Sequence, residues 1–397
     1  MDRVLTAEIE ERAGDPVPAL AGLAAAPLPA PGRARPGVAG AGPWAWARAR
    51  LFGSVASTVV TLGLGYLLVR LVWSLFSWGV LHAVWSVPFK GGVADTSACS
   101  AAAGVGACWA VVADKGRFIL FGLYPYAEQW RPAVAVALFI GLFVVSGNRR
   151  FWRRELGLIW VGTLVVIGAL MWGGVLGLPF VSDDQWGGLP VTLMLATFGL
   201  AFAFPLAVLV ALGRRARQLP AVKMLCVVYV EIIRGAPLIA WLFFASLMVP
   251  LFLPTGWDVS KLLRAQIAFV LFAGAYLAEV VRGGLQALPK GQMEAADALG
   301  LSYWKKTRLI VLPQALRLVI PPLVNTFIGF FKDTSLVLIV GIFDLMTAGS
   351  VALKDPPWQA FGNEVYLMLA AIYFAFCFAM SRYSRGLEAQ LGRSRQR

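Results

Sequence analysis

Few side chains in this 397-residue chain could do chemistry, and those that could lie in or beside long apolar runs. Lys332, Asp333, Thr334 and Ser335 put an ammonium, a carboxylate and two hydroxyls in consecutive positions where such a run breaks off. A charge at membrane depth costs several kcal/mol on most scales, so residues of this kind are candidates for a transport path. A helix break adds free backbone donors and acceptors that a polar cargo can use. A second reading keeps Lys332 and Asp333 as an internal ion pair that holds the break in shape. Asn325, in the same run, either lines a path or bonds a neighbouring helix.

Two further pairs share one spacing, Glu231 with Arg234 and Glu279 with Arg282. Side chains three apart meet on one helix face, so each pair can bond at the inner end of its run. Gly235 and Pro237 follow directly, and a proline frees a backbone carbonyl in a way that suits a hinge. Arg234, Gly235, Pro237, Glu279 and Arg282 are therefore expected in a gate or hinge, with direct ligand contact the lesser role.

Other chemistries lack their residues. One histidine, His82, and no cluster of Cys, His and carboxylates leave no zinc or histidine-based site. No Gly-x-x-x-x-Gly-Lys-Ser/Thr cradle occurs, so the chain is expected to hold no nucleotide or other cofactor and to be no enzyme. Gly104 and Gly106 lack the strand, helix and third glycine of a dinucleotide fingerprint and read as a turn. Cys99 and Cys108 share one loop, where an oxidising compartment would let them pair; two free thiols are the alternative.

The elements that must position these residues are membrane helices. Apolar residues make up 59% and charged residues 14% of the chain, with a mean hydropathy of +0.73. Soluble domains carry about 25% charged residues, so the fold class is an all-α polytopic membrane protein. The net charge of +14 does not point to nucleic acid, because Lys and Arg gather beside apolar runs as inner loops require. Runs of about 20 apolar residues give about eight transmembrane helices, near 53–72, 132–148, 155–178, 188–212, 223–250, 265–285, 313–331 and 364–382. Segment 336–343 is apolar but too brief to cross, and reads as re-entrant or part of a broken helix. No basic stretch directly precedes an apolar run at the start, so the run from Leu51 is expected to serve as its own insertion signal.

Positive charge orients the spans. The segments proposed as inner hold 25 of the 35 Lys and Arg, among them Arg149, Arg150, Arg153, Arg154, Arg214, Arg215 and Arg217. Both termini then face the cytoplasm. Four domains are expected: a disordered cytoplasmic tail over 1–43; a three-span extension over 44–185 with a periplasmic loop over 81–131; a five-span block over 186–385; and a basic cytoplasmic tail over 386–397.

Between spans six and seven lies Leu288-Pro-Lys-Gly-Gln-Met-Glu-Ala-Ala-Asp-Ala-Leu-Gly-Leu-Ser302, which reads as two short helices. Pro289 and Gly291 open the first, Gly300 ends it in a left-handed cap, and Ser302 caps the second. Ala295, Ala296 and Ala298 leave the first slim enough for a groove, with Glu294 supplying charge near its N-terminus. Such an elbow can serve as a mechanical joint to a soluble partner.

Glu294-Ala-Ala, then Gly300, then Leu312-Pro313 resembles the coupling loop of permease subunits in ATP-binding-cassette importers. Gly274-Ala-Tyr-Leu-Ala-Glu-Val-Val-Arg-Gly-Gly284, Gly291-Gln-Met-Glu-Ala-Ala296, Leu312-Pro-Gln-Ala-Leu-Arg317 and Lys332-Asp-Thr-Ser-Leu336 resemble its polar amino-acid branch, in order and at family spacing. The resemblance covers roughly the C-terminal half. It implies a five-helix type I importer permease core in the bacterial inner membrane, taking up polar or general L-amino acids by alternating access. The partners it implies are a dimer of ATP-hydrolysing subunits engaged at Glu294, Ala295, Ala296 and Gly300, a second related permease, and a periplasmic amino-acid-binding protein. The loops around 251–264 and 341–363 are expected to meet that binding protein. Competing readings are an ion-gradient-driven carrier, which leaves the elbow unexplained, and a permease for another small nitrogen compound such as an opine.

Overall fold

In lipid a helix satisfies its backbone groups within its own segment, and long apolar runs accordingly fold as helices. The computed structural model describes residues 42–395 apart from 101–103, 149–150, 152–154 and 217. The expected disordered tail thus lies almost wholly outside the described residues, as do Arg149, Arg150, Arg153, Arg154 and Arg217. Among the described residues, seven helices are long and apolar enough to cross a membrane, and one bent pair makes up to eight. Packing divides the chain into two units, 1–76 and 77–397.

The first unit contains α1 (Pro43–Leu51) and α2 (Val55–Phe76). The second opens with a feature that hydropathy does not reveal, a hairpin of β1 (Phe89–Lys90) and β2 (Val93–Ala94). Gly91 and Gly92 turn it at φ of 60° and 81°, the left-handed pair that a tight hairpin requires. Lys90 and Asp95 bridge its mouth at 2.5 Å. The Lys90 hydrogen bond is the chief reason the Asp95 carboxyl pKa is held down at about 2. Cys99 and Cys108 are joined in a disulfide.

Three helices complete the extension: α3 (Ala110–Phe121), α4 (Trp130–Gly147) and α5 (Glu155–Trp172). Arg131 closes the segment expected to form the periplasmic loop, yet its side chain is fully buried. Its guanidinium donates to the carbonyls of Leu170 at 2.6 Å and Pro179 at 2.9 Å. It thereby satisfies the Leu170 carbonyl in the last turn of α5, beside Gly173, where a Cβ would come within 2.5 Å of the guanidinium.

The block that follows is built on α6 (Gly188–Gly213), α7 (Pro220–Gly235), α8 (Leu238–Phe243) and α9 (Lys261–Gln286). It continues with α10 (Lys290–Ala298), α11 (Leu312–Asp333), α12 (Leu345–Ala352) and α13 (Gly362–Arg395). The basic tail expected from 386 is therefore helical as far as Arg395. Small residues let α6 and α9 pack closely, as membrane helices favour. A Cβ on Gly199 would come within 2.7 Å of the Phe269 ring, and one on Gly274 within 2.9 Å of Leu206.

Packing does not break at residue 185. Gly122, at the end of α3, lies against Gly187 and Gly188, where a Cβ would come within 2.5 Å of backbone. Gly188 in turn donates its N–H to Phe343 at 2.9 Å, and Leu345 donates to the Thr192 hydroxyl at 3.0 Å.

Candidate functional site: elbow, charge hub and bent span

The elbow forms as two limbs of unequal kind. The first is α10, started by Pro289 and ended at Gly300, whose φ of +69° is the left-handed cap expected of it. Leu301 donates back to the Ala296 carbonyl at 3.1 Å and closes the cap. Ser302 stands at the start of the second limb but makes no side-chain cap bond. That limb is not a separate short helix. Tyr303–Lys306 runs through a π turn at Thr307–Val311 into α11, so one helix extends over Tyr303–Val340.

Lys306 clips the limbs together by pairing with Asp297 at 2.5 Å. Arg215, from the connection between α6 and α7, donates to the Leu285 carbonyl at 3.0 Å and anchors the elbow's root. Ala296 points inward and is 1% exposed. Glu294, Ala295, Ala298 and Gly300 remain exposed. Leu299, 77% exposed, and Trp304, 70% exposed, project beside them. Neither belongs to the set expected from the sequence, although an apolar residue beside a glycine cap in a polar loop is a readable signal.

The paired charges regroup across helices. Glu279 on α9 accepts from Arg282 at 2.6 and 2.8 Å, as the spacing predicts. Its other oxygen accepts from Arg214 at the end of α6 and lies 3.7 Å from Arg234 of α7. The expected Glu231–Arg234 pair does not form. Glu231 instead faces Arg214 at 3.5 Å, and Arg234 lies over the Tyr276 ring at 5.2 Å. Proximity across three helices outweighs proximity along one, because a half-buried carboxylate draws every guanidinium within reach. The hub thus holds three guanidiniums and two carboxylates, and ties together the C-terminal ends of α6 and α7 and the C-terminal part of α9. From sequence Arg214 is only an inner-loop charge; its position at the end of an apolar run is the available signal.

Span five is bent. α7 and α8 meet at 102° across Ala236 and Pro237. Pro237 has no N–H to give the Ile233 carbonyl four residues back, and the Trp241 indole supplies that bond at 3.1 Å. Gly235 has open space around it.

At the far end of α11 the helix tightens instead of breaking. Thr334–Val340 continues as a 3₁₀ segment, and Gly341 stops it at φ +70°. The re-entrant reading of 336–343 gives way here, because two hydroxyls draw the coil tighter. Thr334 donates to the Phe331 carbonyl at 2.7 Å and Ser335 to the Lys332 carbonyl at 2.8 Å. Lys332 is exposed and Asp333 half-buried, and no Lys332–Asp333 pair occurs among the described ion pairs. Asn325 is also exposed. The 3₁₀ segment packs against α8, so the bend and the tightened end are neighbours.

The family described as binding-protein-dependent transport system inner membrane component matches residues 203–393. YhdY, an inner membrane amino-acid ABC transporter permease protein of Escherichia coli (strain K12), is 45% identical over 355 residues, covering 88% of this chain and 93% of that one. BztC, a glutamate/glutamine/aspartate/asparagine transport system permease protein of Rhodobacter capsulatus, is 37% identical over 411 residues, covering 87% and 93%. GlnP of Bacillus subtilis (strain 168), a probable glutamine ABC transporter permease protein, is 34% identical over 205 residues, 52% of this chain and 92% of that one. Two relatives therefore match along nearly the whole chain, extension included, and one matches over about the length of the elbow-bearing block. The chain belongs to the permease proteins of amino-acid ABC transporters, multi-span inner-membrane components of binding-protein-dependent transport systems.

Proposed function

We propose that this permease carries polar or general L-amino acids by alternating access, driven through the elbow by a pair of separate ATP-hydrolysing subunits. The observation that carries the reading is the continuity of the helix over Tyr303–Val340. At 1.5 Å per residue its 38 residues span roughly 55 Å, well beyond the ~30 Å hydrocarbon layer. A push on the exposed surface at Glu294, Ala295 and Gly300 reaches Lys332 and Asp333 along one continuous helix, in which Pro321 and Pro322 each remove a backbone donor.

The hub of Glu279, Arg282, Arg234 and Arg214 serves as the inner gate, with Gly235 and Pro237 at the bend that lets α8 follow the moving helix. Arg317, Asn325 and Lys332 are all exposed on α11, and their intervals of eight and seven residues put them on one face. Lipid is a poor neighbour for such a stripe, so it faces the path or a second permease chain. Thr334 and Ser335 shape the helix end and Asp333 offers the carboxylate for a substrate ammonium. The elbow faces the cytoplasm, and so do both termini.

Uptake and ATP turnover measured side by side test this. Gly300→Asp, which strains a left-handed cap, and Glu294→Lys, which inverts an exposed charge, are each expected to leave the protein in the membrane and to lower uptake at least tenfold. Normal uptake in both variants would remove the elbow from the mechanism.

A further inference from the structure

A cavity of about 800 Å³ opens between the extension and the elbow-bearing block, walled by α3 on one side and by Val351, Ala352 and Asp355 at the end of α12 on the other. Its walls are fastened to each other. The Trp358 indole, fully buried, donates to Asp114 at 2.8 Å. Lys115 bridges Asp355 at 2.6 Å and Asp114 at 3.3 Å. Burial opposes the Lys115 charge, but the hydrogen bonds and attraction of Asp355 and Asp114 outweigh it and hold its pKa above the usual value. Behind them the Cys108 N–H donates to the buried Glu364 carboxylate of α13 at 2.9 Å. The extension therefore covers α12 and the loop leading to α13, and anything approaching this part of the outer face meets the extension.

The rim is built like a recognition surface. Tyr126 is 69% exposed, with Phe89 and Leu123 exposed beside it. The Arg117 guanidinium lies over the Tyr126 ring at 3.7 Å and donates to the buried Gln129 at 3.0 Å. Tyrosine and arginine are the residue types that anchor protein interfaces, and here they are fixed in place before any partner arrives. Around them Arg117 and Asp355 offer accessible charges of both signs, which suits a protein edge better than a single small ion. The disulfide between Cys99 and Cys108 in the same segment agrees with an oxidising outer compartment.

We propose that this groove seats the soluble binding protein on which the family's transport depends, with Tyr126 and Arg117 as its anchors and Asp355 as its charged margin. The proposal rests on the transport reading above and gives the extension a role, that of carrying the docking site outward from the transport block. The occupant is a protein surface that presents an apolar patch flanked by an acidic and a basic group.

The complete transporter, reconstituted in lipid with its partner subunits, tests this through ATP turnover titrated with its loaded binding protein. Tyr126→Ala combined with Arg117→Ala is expected to raise the half-saturating concentration at least tenfold while turnover at saturation matches wild type. Leu176→Ala, at a fully exposed residue outside the groove, is expected to leave it unchanged. A wild-type titration curve for the double variant would overturn the proposal. Should the double variant fail to fold, a photo-crosslinker at Leu123 in the otherwise wild-type complex decides: an adduct with the binding protein supports the site, and adducts with lipid alone overturn it. If no binding protein stimulates the wild-type complex, the transport reading falls first and this one with it.

Discussion

Glu279 holds more of the hub together than its single charge suggests. One carboxylate faces Arg282, Arg214 and Arg234, with only Glu231 to share them among the described residues. Removing one partner of a buried pair costs more than the pair is worth, because the survivors lose their compensation. These groups are partly exposed, at 14 to 39% for the three guanidiniums, which reduces the cost. Glu279→Gln is therefore expected to destabilise the detergent-purified protein by about 1–3 kcal/mol. Arg234→Gln, acting on the longer 3.7 Å contact, is expected to cost about 0–1 kcal/mol. Thermal unfolding of the two variants checks this; equal losses would mean that the hub has no centre. What is legible at this scale is the spacing of three that joins Glu279 to Arg282. Arg214 is not, because contact between α6 and α9 is a tertiary fact that no local spacing encodes.

At the scale of elements, the bend in span five follows from one missing donor. Hydropathy makes 223–250 a single crossing, and the proline marks where it can break, yet the 102° angle comes from packing around it. The Trp241 indole repairs the Ile233 carbonyl that Pro237 leaves open. Trp241→Phe should then lose about 0.5–1.5 kcal/mol through that bond. Pro237→Ala brings back a backbone N–H at the very place, so in its background Trp241→Phe should cost less. A double-mutant cycle on thermal stability reads the coupling; strict additivity would contradict this account of the bend. The first limb of the elbow is readable, since Pro289 and Gly300 punctuate it with residues of known conformational preference, whereas Ser302 makes no cap bond. The merging of the second limb with α11 is not readable, because nothing in Tyr303-Trp-Lys-Lys-Thr-Arg308 says stop and the π turn there has no sequence mark.

For the whole molecule, positive charge and hydropathy suffice to suggest eight crossings, because each depends on summed composition rather than on partners. They say little about the extension. Arg131 reads from its neighbourhood as an outer-loop cation and is in fact an internal cap, and two-residue strands are too short to leave a pattern. The extension's fastening to α12 and α13 through Asp114, Lys115 and Cys108 joins residues far apart in the chain. On the two proposals made above, labour divides along the bilayer normal, with energy entering at the elbow and cargo received at the groove.

The elbow's engagement is the point on which this division turns, and one cross-linking measurement tests it most directly. A photo-reactive residue at Leu299, the most exposed apolar side chain of the elbow, should yield an adduct with an ATP-hydrolysing subunit in native membranes, and ATP should change its yield. Labelling of that position by a membrane-impermeant reagent from outside intact cells, with no such adduct, would contradict the account.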